Sequence, residues 1–155
     1  MAKDAFITGI LDLKENELKT LLTNQHIDPK PILVCSGGTT TRCAANGHWT
    51  LDLRSRYQQI DYDSLTTEVE IGGGVNMANL SKRLSDYNRS FPIGLSNQTG
   101  IGYILSGGIS PLSRSQGLAI DQILEIKGIW GNGEEFDMCK PNLNSSDTHK
   151  NLWRG

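Results

Sequence analysis

The sequence predicts an α+β fold in which a small parallel β group and a mostly antiparallel β group are flanked by helices. Three observations carry this. Between residues 14 and 87, short apolar runs alternate with amphipathic helical stretches. Beyond residue 100 the pattern turns to hairpin signals. Finally, the 17 glycines of the 155-residue chain are gathered as Gly37-Gly38, Gly72-Gly73-Gly74, Gly100/Gly102 and Gly107-Gly108. Clustered glycine marks ordered bends approached closely by other backbone or by a ligand, whereas even scatter would mark disorder.

Each element follows from its residues. Lys14 to Asn24 carries Leu18, Leu21 and Leu22 on one helical face, and Asp28-Pro29-Lys30-Pro31 breaks it. Pro31 to Cys35 is a short buried strand that runs straight into Ser36-Gly37-Gly38-Thr39-Thr40-Thr41. Trp49 to Leu53 alternates as a strand does, and Glu68 to Ile71 is another, closed by the triple glycine. From Asn76 to Tyr87, Met77, Leu80, Leu84 and Tyr87 recur at helical spacing. Phe91 to Gly108 is a long glycine-rich loop. Pro111 to Gln116 makes one helical turn, which Gly117 ends. Ile123 to Trp130 and Glu134 to Phe136 form a hairpin about Gly131-Asn132-Gly133. Ser145 or Ser146 caps a last helix that leads through Asp147 to Asn151-Leu152-Trp153. The parallel strands of the first third are expected to pack with the helices at 14–24 and 76–87, and the antiparallel group to come from residues 100 to 137.

Composition narrows the function. A net charge of -2 and the lack of a basic run argue against a nucleic-acid partner. No apolar run is long enough to span a bilayer. Met1 to Ile10 lacks the basic start and apolar stretch of a secretion signal, so the expected location is cytoplasmic. Cys35, Cys43 and Cys139 have no paired spacing, and His26, His48 and His149 form no metal-ligand pattern with them.

The chemistry lies in two loops. In Ser36 to Thr41 a strand delivers a Gly-Gly turn followed by three threonines. Consecutive N–H groups can turn into one concavity there and hold an anion, with threonine hydroxyls as further donors; the plain alternative is a tight turn. Phe91 to Gly108 joins bare backbone to Ser96, Asn97, Thr99 and Ser106. A flat polar ring system could use that combination, and a surface loop would carry it equally well. Gly100-Ile101-Gly102 does not continue into a dinucleotide fingerprint, because position 105 is Leu105. A lysine-bearing phosphate loop and a nucleophile elbow are also absent.

Together these segments resemble the FAD-binding, PCMH-type domain of the vanillyl-alcohol oxidase / p-cresol methylhydroxylase superfamily, nearest its berberine-bridge-enzyme-like branch. Val34-Cys35-Ser36-Gly37-Gly38-Thr39-Thr40 is similar to its diphosphate loop, and Val69-Glu70-Ile71-Gly72-Gly73-Gly74 to its Val-x-x-Gly-Ala-Gly. Phe91 to Gly108 resembles its flavin loop. Pro111 to Asp121, through Leu112-Ser113-Arg114, resembles the most specific block. The resemblance runs from about Leu11 to Arg154 and implies that residues 1–155 are a PCMH-type domain incomplete at its C-terminus, with the substrate domain absent. It implies FAD lying between the two β groups, with Ser36, Gly37, Gly38, Thr39, Thr40 and Thr41 on the diphosphate. Ser96, Asn97, Thr99, Gly100, Gly102 and Gly107 would lie near the flavin, with Arg114 and Asp121 bracing the loops. The family often tethers FAD through a histidine and a cysteine at positions that here are Thr39 and Ser96, so non-covalent FAD is expected, with His48 as the one nearby substitute. The implied activity is hydride acceptance from an unidentified small-molecule substrate. A nucleotide-binding module without redox work and an inactive fragment are the alternatives.

Overall fold

The computed structural model describes residues 7–24 and 30–154. His26, the Asp28-Pro29 break and Gly155 lie outside the described residues, as do the side chains of Leu152 and Arg154.

Strands β1 (Gly9–Leu11), β2 (Ile32–Cys35) and β3 (Trp49–Asp52) form a parallel sheet with β3 in the centre. Gly9 and Ile32 both lie opposite Trp49, and Cys35 lies opposite Asp52. β4 (Ile60–Asp63) and β5 (Glu68–Ile71) pair antiparallel, as do β6 (Glu125–Ile129) and β7 (Glu135–Cys139). The helices are α1 (Glu15–Thr23), α2 (Met77–Ser85), α3 (Gly102–Leu105), α4 (Ser113–Gln116) and α5 (Asp147–Arg154). One-turn 3-10 helices occupy Thr41–Cys43 and Ala119–Gln122.

Local chemistry fixes the element ends. The Lys14 amide donates to Glu17 Oε2 at 2.7 Å, which starts α1. Asn76 Oδ1 accepts from the Asn79 amide at 2.8 Å and caps α2. Between β4 and β5 the Asp63 carboxylate accepts from the Leu65 amide and the Thr66 hydroxyl, which turns the chain.

The core gathers where apolar periodicities face each other. Met77, Leu80 and Leu84 of α2 are buried with Val75, Ile104 and Ala119, and Ile60, Tyr62, Val69 and Ile71 of β4 and β5 pack against them. This corrects one expectation: α2 covers the antiparallel pair, and its apolar stripe meets the alternate residues that β4 and β5 turn inward. α1 buries Leu18 and lies beside the β6–β7 hairpin. Lys19 joins Glu15 to Glu135 there, and Gly133 approaches Thr23. β1 and β4 are additions to the expected strands, while the long loop contains α3. Among the described residues no helix is long and apolar enough to cross a membrane.

Candidate functional site

The separate glycine stretches converge on one hydroxyl. Ser36 Oγ donates to the Gly73 carbonyl at 2.7 Å and accepts from the Ile101 amide at 3.0 Å. Gly37 and Gly100 then meet backbone to backbone: a Cβ on Gly37 would stand 2.2 Å from the Gly100 nitrogen, and one on Gly100 would stand 2.3 Å from the Gly37 nitrogen. No side chain fits that joint. The first and second loops, 65 residues apart in sequence at the Ser36–Ile101 bond, form one junction at the C-terminal end of β2.

The second loop is held from its other side. The Met77 amide donates to Thr99 O and the Ala78 amide to Asn97 O, each at 2.9 Å. These carbonyls and the Asn76 cap satisfy the first-turn amides at Met77, Ala78 and Asn79, so that end of α2 is committed to holding the loop. Thr99 Oγ1 donates to Ser96 O, and Ser96, Asn97 and Gln98 stand exposed. A Cβ built on Gly102 or Gly107 meets nothing within 4 Å, so both keep open space beside them. Thr39, Thr40 and Thr41 are also exposed; Thr40 Oγ1 accepts from the Arg42 amide at 3.3 Å and caps the following 3-10 turn.

Arg54 and Asp52 stand at this site, although neither is among the expected site residues. Asp52 receives the Arg54 Nε at 2.9 Å and Nη2 at 2.6 Å in a fork, and the Arg54 amide at 3.0 Å. The hydrogen-bonded guanidinium lowers the Asp52 carboxyl's pKa, and the carboxylate in turn raises that of Arg54. The remaining nitrogen, Nη1, lies 2.8 Å from where a Gly38 Cβ would sit, and Gly38 has φ +69°. The sequence signal was available: Cys35 and Asp52 end neighbouring parallel strands, so a residue just past Asp52 is delivered beside a loop starting after Cys35. The fully buried Cys35 thiol lies beside Cys43, and burial raises its pKa to about 11.

The remaining candidates are placed differently. Asp121 Oδ2 accepts from the Leu118 amide at 2.8 Å, and its turn is tied to the glycines because Ala119 and Ile120 donate to Gly108 O and Gly107 O. Asp121 therefore braces the end of the second loop locally. Arg114 stands exposed on α4 and forms no ion pair among the described residues; the local bond beside it is made by Ser113 Oγ, which accepts from the Ser110 amide. His48 precedes β3 and accepts from Thr8 through its carbonyl, at the opposite end of that strand from Asp52 and Gly38. Glu125, Asp137 and Cys139 cluster on the exposed hairpin, where Lys127 already pairs with both carboxylates.

The donor set suits a dinucleotide. Exposed hydroxyls and a bent glycine backbone adjoin a fixed guanidinium at the first loop, and the second loop adds open backbone. Comparison with known proteins agrees. The FAD binding domain family model matches residues 14–138. The chain is 36% identical over 106 residues to the FAD-linked oxidoreductase nodO of Hypoxylon pulicicidum, covering 66% of this chain and 23% of nodO. It is 34% identical over 90 residues to berberine bridge enzyme-like 24 of Arabidopsis thaliana, covering 56% and 16% respectively. Its fold matches 6-hydroxy-D-nicotine oxidase of Arthrobacter nicotinovorans with a TM-score of 0.80 at 25% identity, over 88% of this chain and 31% of that one. The chain thus spans about a quarter or less of the curated relatives just named.

Proposed function

Because the chain belongs to the FAD binding domain family, we propose that it holds FAD across its glycine junction as part of a flavin-dependent oxidoreductase. The observation that carries this is the Ser36 staple, which brings both glycine loops to one place. The backbone of Ser36 to Thr41 serves the diphosphate, while the Ser36 hydroxyl is spent on joining the loops. Exposed Ser96 and Asn97 and the open backbone at Gly102 and Gly107 serve the flavin side. When bound, FAD would supply the redox chemistry, that of a hydride acceptor toward a substrate C–H bond. The chain's own task is to bind and orient it. The small-molecule substrate and the groups that contact it are assigned to parts of the enzyme outside residues 1–155.

We assign the FAD as non-covalent. The oxygens of Thr39 and Ser96 replace the nitrogen and sulfur of the family's tethers, and the position of His48 beyond the far end of β3 supports the same reading. The free thiols of Cys35, Cys43 and Cys139 suit the reducing cytoplasm. Purified chain supplied with FAD should turn yellow and release all its flavin on acid denaturation. Flavin fluorescence that stays with the denatured polypeptide would refute the non-covalent mode. A colourless protein that binds ADP and ignores FAD would favour a nucleotide-binding module without redox work.

A further inference from the structure

The Asp52–Arg54 pair stands beside the first glycine loop, at the end of the neighbouring strand, and neither residue is among the expected site residues. Its geometry has a direction. Asp52, whose side chain is 15% exposed, takes two of the three guanidinium nitrogens, and Arg54, 40% exposed, turns the third toward Gly38. A lone arginine at such exposure would sample many rotamers. Here a carboxylate fork and a main-chain hydrogen bond from its own amide hold it in one. The loop itself contains no charged residue from Ser36 to Thr41. Bare amides can grip a diphosphate, yet its two negative charges need an opposing charge nearby. Arg42 follows the loop but stands exposed on the 3-10 turn, with no ion pair to orient it among the described residues.

We propose that Arg54, aimed by Asp52, is the positioning cation of the diphosphate site: it holds the Gly38 bend in its anion-receptive shape and supplies the positive charge that favours a diphosphate over a neutral ligand. This rests on the FAD reading above, because it concerns the same loop. It goes beyond that reading by naming a residue pair past the end of the neighbouring strand. It also assigns that pair a selectivity, for the charged diphosphate and not for the ring.

Arg54→Gln keeps length and polarity and removes the charge. In the full chain, titration with FAD, ADP and riboflavin reads the charge directly. Loss of one charge-assisted contact should weaken FAD and ADP about 10- to 100-fold and leave riboflavin, which has no phosphate, within about twofold. Raising the salt concentration should weaken FAD binding more steeply in the parent chain than in the variant. Asp52→Asn, which keeps the guanidinium and loosens its aim, should give a smaller loss with the same selectivity, and Arg54→Lys should recover part of the affinity. Should Arg54→Gln fail to fold, the Lys and Asn variants carry the same comparison. Equal losses for FAD and riboflavin, or an unchanged FAD affinity, would overturn the role of Arg54 alone. A parent chain that binds neither FAD nor ADP overturns this proposal and the FAD reading together.

Discussion

Gly37 and Gly100 show how a single methyl group can decide this site. Gly100→Ala puts a carbon 2.3 Å from the Gly37 nitrogen and 2.4 Å from Ser36 Oγ, against backbone that cannot rotate away. The expected cost is about 1–3 kcal/mol in urea unfolding, with loss of flavin binding. Asp52 gives a pH signature. Its folded pKa is depressed by the Arg54 hydrogen bonds, so its stabilisation is complete above the ordinary carboxylate range and is lost as pH falls below about 4. Asp52→Asn should flatten that acid limb and cost about 1 kcal/mol at neutral pH, a small figure because the guanidinium is partly solvated. Cys35 behaves oppositely. Burial raises its folded pKa from 9.0 to about 11, so its contribution is complete below pH 9.0 and fades as pH rises toward the folded value. A thiol-reactive dye at neutral pH should therefore label exposed Cys139 in the folded chain, and Cys35 and Cys43 only after denaturation. Fast labelling of all three would contradict the buried placement.

The elements owe their order to contacts of different range. α2 is the best-determined helix, because its cap and its apolar stripe lie close together in sequence and Met77, Leu80 and Leu84 are buried, while Tyr87, the fourth residue at that spacing, falls past the helix end and stands exposed. Leu80→Ala should cost about 2–5 kcal/mol, since Leu80 is fully buried in the main cluster. Asn76→Ala should cost about 1 kcal/mol through the lost cap and should also loosen Asn97 and Thr99, whose carbonyls dock on the same turn. The stretch 91–108 reads as irregular in sequence because its order comes from outside it. The α2 amides, Ser36 and the 118–121 turn each hold one part. β1 escaped notice for a related reason: three residues starting with glycine carry little periodicity, and their partner β3 lies 40 positions away. β4 was legible in principle, since Ile60-Asp61-Tyr62-Asp63 alternates apolar and acidic residues, but four residues without a neighbouring turn signal ahead of them make a weak strand pattern.

At the scale of the molecule, the described residues form three small sheets joined through loops, and protection should follow burial. Hydrogen exchange should be slowest in α2, β4 and β5, which share the main cluster, and faster in the β6–β7 hairpin, where Trp130 remains 42% exposed despite stacking on Phe136. A hairpin as protected as α2 would mean that the stability is distributed otherwise. The sequence by itself determined the α+β class, the two principal helices, the hairpin turn, the order of the glycine segments and the family they spell. Those features rest on short-range chemistry: periodicity, caps, and the backbone freedom of glycine. Only the tertiary structure decided which sheet α2 covers, that Ser36 is a staple, that Arg114 stands apart, and that Arg54 reaches Gly38. Those outcomes depend on which distant residues share a surface once the chain is packed, and a parallel strand pair brings together two strand ends whose sequence separation carries no local signal.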